Sequence, residues 1–374
     1  MLFSRKPKLR REDFYDREDE LRLLSKGIEA GEGLIVVYGV RRIGKTSLVY
    51  VGLTELDIPF IPIDLRKYSE DVTLLSPIVI GQVINEVLRE YEKFTGKVKN
   101  FIERIIEHIE ALDILKIIGV KPRRKSRRKL LTSILEKADK WAKKRGTRIA
   151  IVLDEAQELR RIPAWRNILA WAIEHLENVT FIVTGSEVGV LRDFLKLEDA
   201  SSPLFGRARL EISLSKFTRE QSIDFLKRGF NEARLNVRDE EIEDSVNKLN
   251  GIVGWLALYG YYRVTYGVNH REAISKIEAE AIDIITKEVE KAISSSPTRY
   301  LAILWAISLG LKSWSTIKHF VEGVVGEIPD NRFNRLLQNL VKYGFVEKTK
   351  NLEYRIIDPL LPKAIEILRK RYRL

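Results

Sequence analysis

The chain has no cysteine, which excludes disulfides and thiolate metal sites. It has one methionine and four glutamines, at 82, 157, 221 and 338. Lys, Arg, Glu and Ile are abundant instead, a bias that resembles a hyperthermophile's avoidance of heat-labile residues and its use of ion-pair networks. Also missing is any apolar run near the roughly 18 residues that span a bilayer. The longest, near Ile303 to Leu311, reads as a core helix, and no membrane partner is expected. Ser4 to Arg11 is basic, but no apolar stretch follows it, so it does not read as a secretory signal and the default compartment is cytoplasmic.

What remains is a charge-rich globular sequence. Its 374 residues, 45% hydrophobic and 32% charged, leave room for two or three domains and a buried core. The net charge of +12 is uneven. Residues 97–148 hold 17 Lys or Arg against 6 Asp or Glu, residues 297–374 hold 14 against 7, and the rest is net negative by 6. Two local basic regions suit an anionic polymer, but solvated helix faces have the same composition.

The strongest local signal is LIVVYGVRRIGKTS, Leu34 to Ser47. An apolar strand runs into Gly39, Val40, Arg41, Arg42, Ile43, Gly44, Lys45 and Thr46, which fits G-x-x-x-x-G-K-[ST] at every fixed position. Two glycines let the backbone curl until successive N–H groups point at phosphate oxygens, and a helix beginning near Gly44 adds its positive dipole end. Lys45 is placed for the β- and γ-phosphates, and Thr46 for Mg²⁺. Pro59 to Leu65, PFIPIDL, reads as a second buried strand, and the resulting βαβ unit predicts a parallel sheet and an α/β fold.

Helical patterns follow over Val72 to Phe94 and Phe101 to Leu112, then the basic run Lys121 to Lys129, KPRRKSRRK, and a helix with Leu131, Leu135 and Trp141 inward. This excursion reads as an insertion, and its basic run as either a nucleic-acid contact or an exposed loop. Ile149 to Glu155, IAIVLDE, reads as a central strand with two carboxylates at its C-terminal tip, where open α/β sheets bind ligands. There Asp154 would hold Mg²⁺ or its water, and Glu155 would orient and deprotonate an attacking water. A helix N-cap is the weaker reading, given the phosphate loop about a hundred residues earlier. Val179 to Thr184 ends in Gly185 and Ser186, a position that fits either a γ-phosphate contact or turn chemistry. Arg207, before the last core strand, is placed either as an arginine finger in its own or a neighbouring subunit, or as a packed edge arginine.

From Ser215 helices take over, with a boundary near Leu214 and SSSP at Ser294 to Pro297 as a linker or helix start. Three helices and a hairpin, from Arg299 to Ile356, describe a winged helix. Its third helix is expected to bury Phe333, Leu336, Leu337, Leu340 and Val341 and to turn Arg332, Arg335, Asn339 and Lys342 outward, toward duplex DNA if it enters a major groove. Winged helices also serve as protein-contact lids. The expected division is a core over 1–214, a helical lid over 215–293 and a winged helix over 294–374.

Taken together, FYDRE near the start, GVRRIGKTS, IVLDEAQEL, FIVTGS, SPLFGR and the closing YRIIDPLL resemble the archaeal P-loop ATPases of the STAND group, relatives of AAA+ proteins and of the archaeal origin-recognition initiators. The resemblance implies ATP between core and lid, with Lys45, Thr46, Asp154 and Glu155 at the loop, metal and base positions. It also implies that the segment Phe14 to Arg17, with Asp16 and Arg17, lies near the adenine and that Ser186 is the γ-phosphate sensor, while Ser47 closes the loop stretch. One departure is Gly251-Ile252-Val253-Gly254, where the family often has G-x-P-G. No guanine-reading N-K-x-D motif is evident, so the expectation is an ATP hydrolase acting as a switch. The alternatives are an ATP-conditioned DNA-binding regulator or initiator, and an ADP-holding scaffold; assembly into homo-oligomers and a protein partner stay open.

Overall fold

A computed structural model describes residues 1–69, 71–93, 97, 101–111 and 127–374, with side chains at 111 and 127–130 left undescribed. Five strands form one parallel sheet: β1 Leu34–Tyr38, β2 Phe60–Asp64, β3 Ile149–Asp154, β4 Val179–Gly185 and β5 Leu210–Ser213. Their order is β2-β3-β4-β1-β5, with Leu34 paired to Phe181, Ile149 to Val179 and Ile35 to Leu210. The three central strands β1, β3 and β4 are buried at every position. That burial is why they read as unbroken apolar runs, as parallel strands covered on both faces do. The order places β4 between β1 and β3, so the phosphate loop after β1, Ser186 after β4 and Asp154 at the tip of β3 share one edge of the sheet.

The helical insertion between β2 and β3 comprises Pro77–Lys93, Ile102–Ala111 and Arg127–Lys144, the first packed on the third. The basic run 121–129 lies outside the described residues, apart from the backbone of 127–129 at a helix start. The pattern left three helices unread: Ala164–His175, Val188–Leu195 and the final Leu361–Tyr372. The first two are short connections in the core, and the last packs against the long helix His270–Ile293.

After β5 come the helices Arg219–Glu232, Asp239–Leu249, Val253–Thr265 and His270–Ile293, where helical periodicity places them. The winged helix follows: Pro297–Ser308, Trp314–Val325, Asp330–Lys342 and an antiparallel hairpin of β6 Val346–Lys348 with β7 Tyr354–Ile356. Buried side chains form two hydrophobic clusters. One surrounds the sheet. The other runs without a break from Phe217 to Leu368 and also takes in Leu2 and Phe3. The post-sheet helices and the winged helix therefore share a core, and the start of the chain is built into it. No helix among the described residues is long and apolar enough to cross a membrane.

Candidate active site

The phosphate loop joins β1 to the helix Lys45–Glu55. Its turn needs three residues in left-handed or related backbone, Gly39 at φ 153°, Arg42 at φ 65° and Gly44 at φ 92°. Glycine reaches such angles without steric cost, which accounts for the two fixed glycines. Lys45 is 5% exposed and folds back, donating 2.8 Å hydrogen bonds to the carbonyls of Gly39 and Val40. Burial lowers its pKa, opposed by the charges of Glu155 and Asp154.

Around this lysine stand two buried carboxylates. Asp154 accepts from the Thr46 hydroxyl at 2.8 Å and from the Thr184 hydroxyl. Its pKa is raised, first by burial and then by the adjacent Glu155. Glu155 sits in left-handed backbone, φ 57° and ψ 49°, and its carboxylate has other partners than that of Asp154. Its Oε2 accepts from the Ser186 hydroxyl at 2.5 Å, from the Ser186 N–H at 3.2 Å and from the Gln157 amide. Burial pushes Glu155 up, but Lys45, Ser186, Arg66 and Gln157 outweigh it and hold the carboxyl at about 2. Two neighbouring carboxylates are thus separated in proton affinity by their surroundings, as paired acidic groups in active sites are.

A cleft of about 410 Å³ opens over the loop between the core and the post-sheet helices. Arg42 to Ser47, Arg66, Asp154 and Glu155 line it, together with the apolar and aromatic Phe14, Tyr15, Phe217, Phe225 and Leu258. Thr46 and Asp154, two hard oxygen donors in contact at the cleft, fit Mg²⁺, which takes one or two protein oxygens and completes its shell with phosphates and water.

The other expected site residues are distributed unevenly. Arg17 lines the cleft, but its guanidinium is spent on the Ser215 carbonyl at 2.6 Å, Glu20 at 3.1 Å and the Phe217 ring. Asp16 is not among the lining residues; its carboxylate accepts from Gln221 at 2.6 Å. Arg207 precedes β5, whose Leu210 pairs with Ile35 near the start of β1. It therefore sits at the opposite end of the strands from the loop, bound to Glu174 and the Pro203 carbonyl, and does not line the cleft of its own chain. Four contributors were not singled out from the sequence: Arg66, Gln157, Thr184 and Lys8. Gln157 had a visible signal, being one of only four glutamines and two residues after Glu155. Arg66 follows the tip of β2, the same edge that carries Asp154, and is held by Asp64 through two 2.9 Å bonds.

The chain is similar to known proteins in sequence and fold. The sequence profile of an ATPase domain found predominantly in Archaea covers residues 14–258. The chain belongs to that family. Among solved structures, the Walker-type ATPase of Pyrococcus abyssi is 32% identical, with a TM-score of 0.78 over 98% of this chain and 100% of that one. Residues 294–357 of this ATPase match the C-terminal winged helix-turn-helix domain of MCM proteins. Its fold is shared by the Aeropyrum pernix ORC2 protein in ADPNP-ADP complexes, 14% identical with a TM-score of 0.61 over 98% and 96% of the two chains. The ADP form of ORC2 gives 12% identity and 0.51 over 97% and 96%. No relative was found among curated proteins. The ATPase is an ATP-hydrolysing P-loop enzyme with an α/β core and a C-terminal winged helix.

The hydroxyl of Ser186 stabilises the charged form of Glu155, so Ser186→Ala should raise that carboxyl's pKa. The acid limb of the turnover–pH profile should then move to higher pH; a limb left in place would show that Glu155 does not set it.

Proposed function

We propose that this ATPase is a Mg-ATP-driven molecular switch that couples nucleotide state to the arrangement of its lid, 215–293, and winged helix, 294–374, around the core, 1–214. The observation that carries this reading is where the two loop arginines go. Arg41 donates to the Tyr343 carbonyl and to Glu187, both at 2.9 Å, lies 3.4 Å from Glu288, and covers the Phe345 ring. Arg42 pairs with Glu288 at 2.8 Å, stands over the Trp255 ring, and lies 3.7 Å from Asp358. Its carbonyl accepts from the Gly254 N–H at 2.8 Å, and Trp255 in turn donates to Asp358 at 3.0 Å. The segment that would wrap the phosphates thus has its outward side chains in the lid and the winged helix.

In the proposed mechanism Lys45 leaves its carbonyls to bind the phosphate chain, and the loop N–H groups orient it. Thr46 and Asp154 would hold Mg²⁺, which when bound offsets phosphate charge. Glu155, freed from part of its Ser186 and Gln157 bonding, orients the attacking water and takes its proton, and Ser186 faces the γ-phosphate side. Movement of Arg41 and Arg42 with the loop then alters the shared joint at Glu288, Tyr343 and Asp358. Glu155→Gln should keep ATP affinity and lower turnover by about 10²–10⁴-fold; turnover near wild type would remove Glu155 as the base.

A second reading, an ATP-conditioned DNA-binding regulator, is favoured by Arg332 and Arg335, which are exposed on the third helix of the winged helix. Asn339 and Lys342, by contrast, are engaged within the chain, by Tyr300 at 2.8 Å and by Asp193 at 2.7 Å. The Lys342–Asp193 pair is largely exposed, and such pairs contribute about 0–1 kcal/mol. The closer fit is backbone on backbone, since a Cβ at Gly189 would lie 2.6 Å from the Lys342 Cα. If the free arginines meet DNA phosphates, replacing both with Ala should weaken duplex binding on any sequence and flatten the log Kd–log salt slope by about 1.8; an unchanged slope would place DNA elsewhere.

A further inference from the structure

The N-terminal segment crosses the cleft. At the lid, Phe3 is buried in a hole made by two glycines: a Cβ at Gly229 or Gly260 would come within 2.2 or 2.3 Å of its ring. The Leu2 N–H is held by Glu232 at 2.8 Å, and Arg5 pairs with Glu280. At the other end the Lys8 N–H donates to the Ser47 hydroxyl at 3.0 Å, one residue beyond Thr46. Residues 2–8 are therefore a strap from the lid core to the first turn of the phosphate-loop helix, and Ser4 to Lys8 line the same cleft as Arg42 to Ser47.

Lys8 is the residue this path leaves chemically unfinished. It lines both the cleft and an adjoining cavity of about 690 Å³ that also contains Thr46 and Asp154. Its ammonium donates to the Met1 carbonyl at 2.7 Å, and among the described residues no carboxylate pairs with it. Burial lowers its pKa to about 8, with Glu232 acting in the other direction. Lys45 rests in the same way, on two backbone carbonyls. A half-buried ammonium satisfied only by a carbonyl gains from an anion placed nearby, because charge-assisted hydrogen bonds are the stronger ones.

We propose that Lys8 is a second phosphate-binding lysine of the nucleotide site, delivered by the strap, which leaves the Met1 carbonyl for the phosphate chain of a nucleoside di- or triphosphate. The inference rests on the nucleotide reading of the cleft. It makes Lys8 a phosphate-binding residue, and the rest of the strap its positioning element.

The test uses the full chain and calorimetric titration with ATP and ADP in the presence of Mg²⁺, with adenosine measured by competition. Lys8→Met should weaken ATP and ADP by about 10- to 100-fold, the range for a hydrogen bond to a charged group. Adenosine should be unchanged, and Lys8→Arg should stay within about threefold of wild type, with Lys8→Gln read alongside in case the methionine variant folds poorly. Steady-state KM should rise with little change in kcat. Equal losses for adenosine and ATP would make the strap merely structural, and wild-type ATP affinity in Lys8→Met or Lys8→Gln would remove Lys8 from the site; either result overturns the proposal. Lys45→Ala serves as the separate check on the cleft: undiminished ATP binding there would fail the nucleotide reading itself, whatever Lys8 does.

Discussion

The architecture depends on keeping buried charge balanced at one edge of a parallel sheet. Lys45, Asp154 and Glu155 are each under a tenth exposed. An isolated ion there would cost several kcal/mol. The groups are held by mutual attraction, by hydroxyls from Thr46, Thr184 and Ser186, and by carbonyls that the tight loop turns toward Lys45. Burial and the neighbouring Glu155 raise the pKa of Asp154, and burial lowers that of Lys45 against the pull of both carboxylates. In the proposed complex a magnesium nucleotide would bring a cation to Asp154 and an anion to Lys45.

That balance reaches beyond the core through a few long side chains. Glu288 touches both loop arginines, and one turn on, Lys291 pairs with Glu158 at 2.9 Å, three residues past Glu155. A single helix, His270–Ile293, therefore touches both the loop and the segment after Glu155. The same helix carries the final helix of the chain on its far side, through Lys363–Glu278 and Arg371–Glu290. The post-sheet helices and the winged helix share one hydrophobic core, so a displacement at Glu288 has no soft boundary to absorb it before reaching the winged helix.

Much of this was legible in the sequence because the relevant signals are local. Unbroken apolar runs marked the central strands, fixed glycines marked the loop, and helical periodicity placed the third helix of the winged helix within a residue or two of Asp330–Lys342. What was hidden is non-local. Nothing in the spacing of Arg41 and Arg42 says that they face Tyr343 and Glu288, some 250 to 300 residues later. Nothing in the run around Lys342 says that Gly189 makes room for it. Arg207 shows the converse, since its nearness to a core strand was visible but the end of the strands it occupies follows only from the pairing of β5 with β1. Lys8 was passed over because a basic N-terminal stretch looks solvated until Phe3 is seen to anchor it.

In the proposed switch, nucleotide at Lys45 and Thr46 is coupled to the winged helix through Arg41 and Arg42. The chain has no cysteine, so Phe205→Cys and Lys350→Cys, at exposed positions on the core and the wing, give two unique labelling sites for energy transfer. The account predicts that Mg-ATP changes the transfer efficiency in the otherwise wild-type protein and that replacing Arg41 and Arg42 with Ala abolishes the change while ATP still binds. The same change in the arginine double variant, or none on saturating the wild type with ATP, would contradict it.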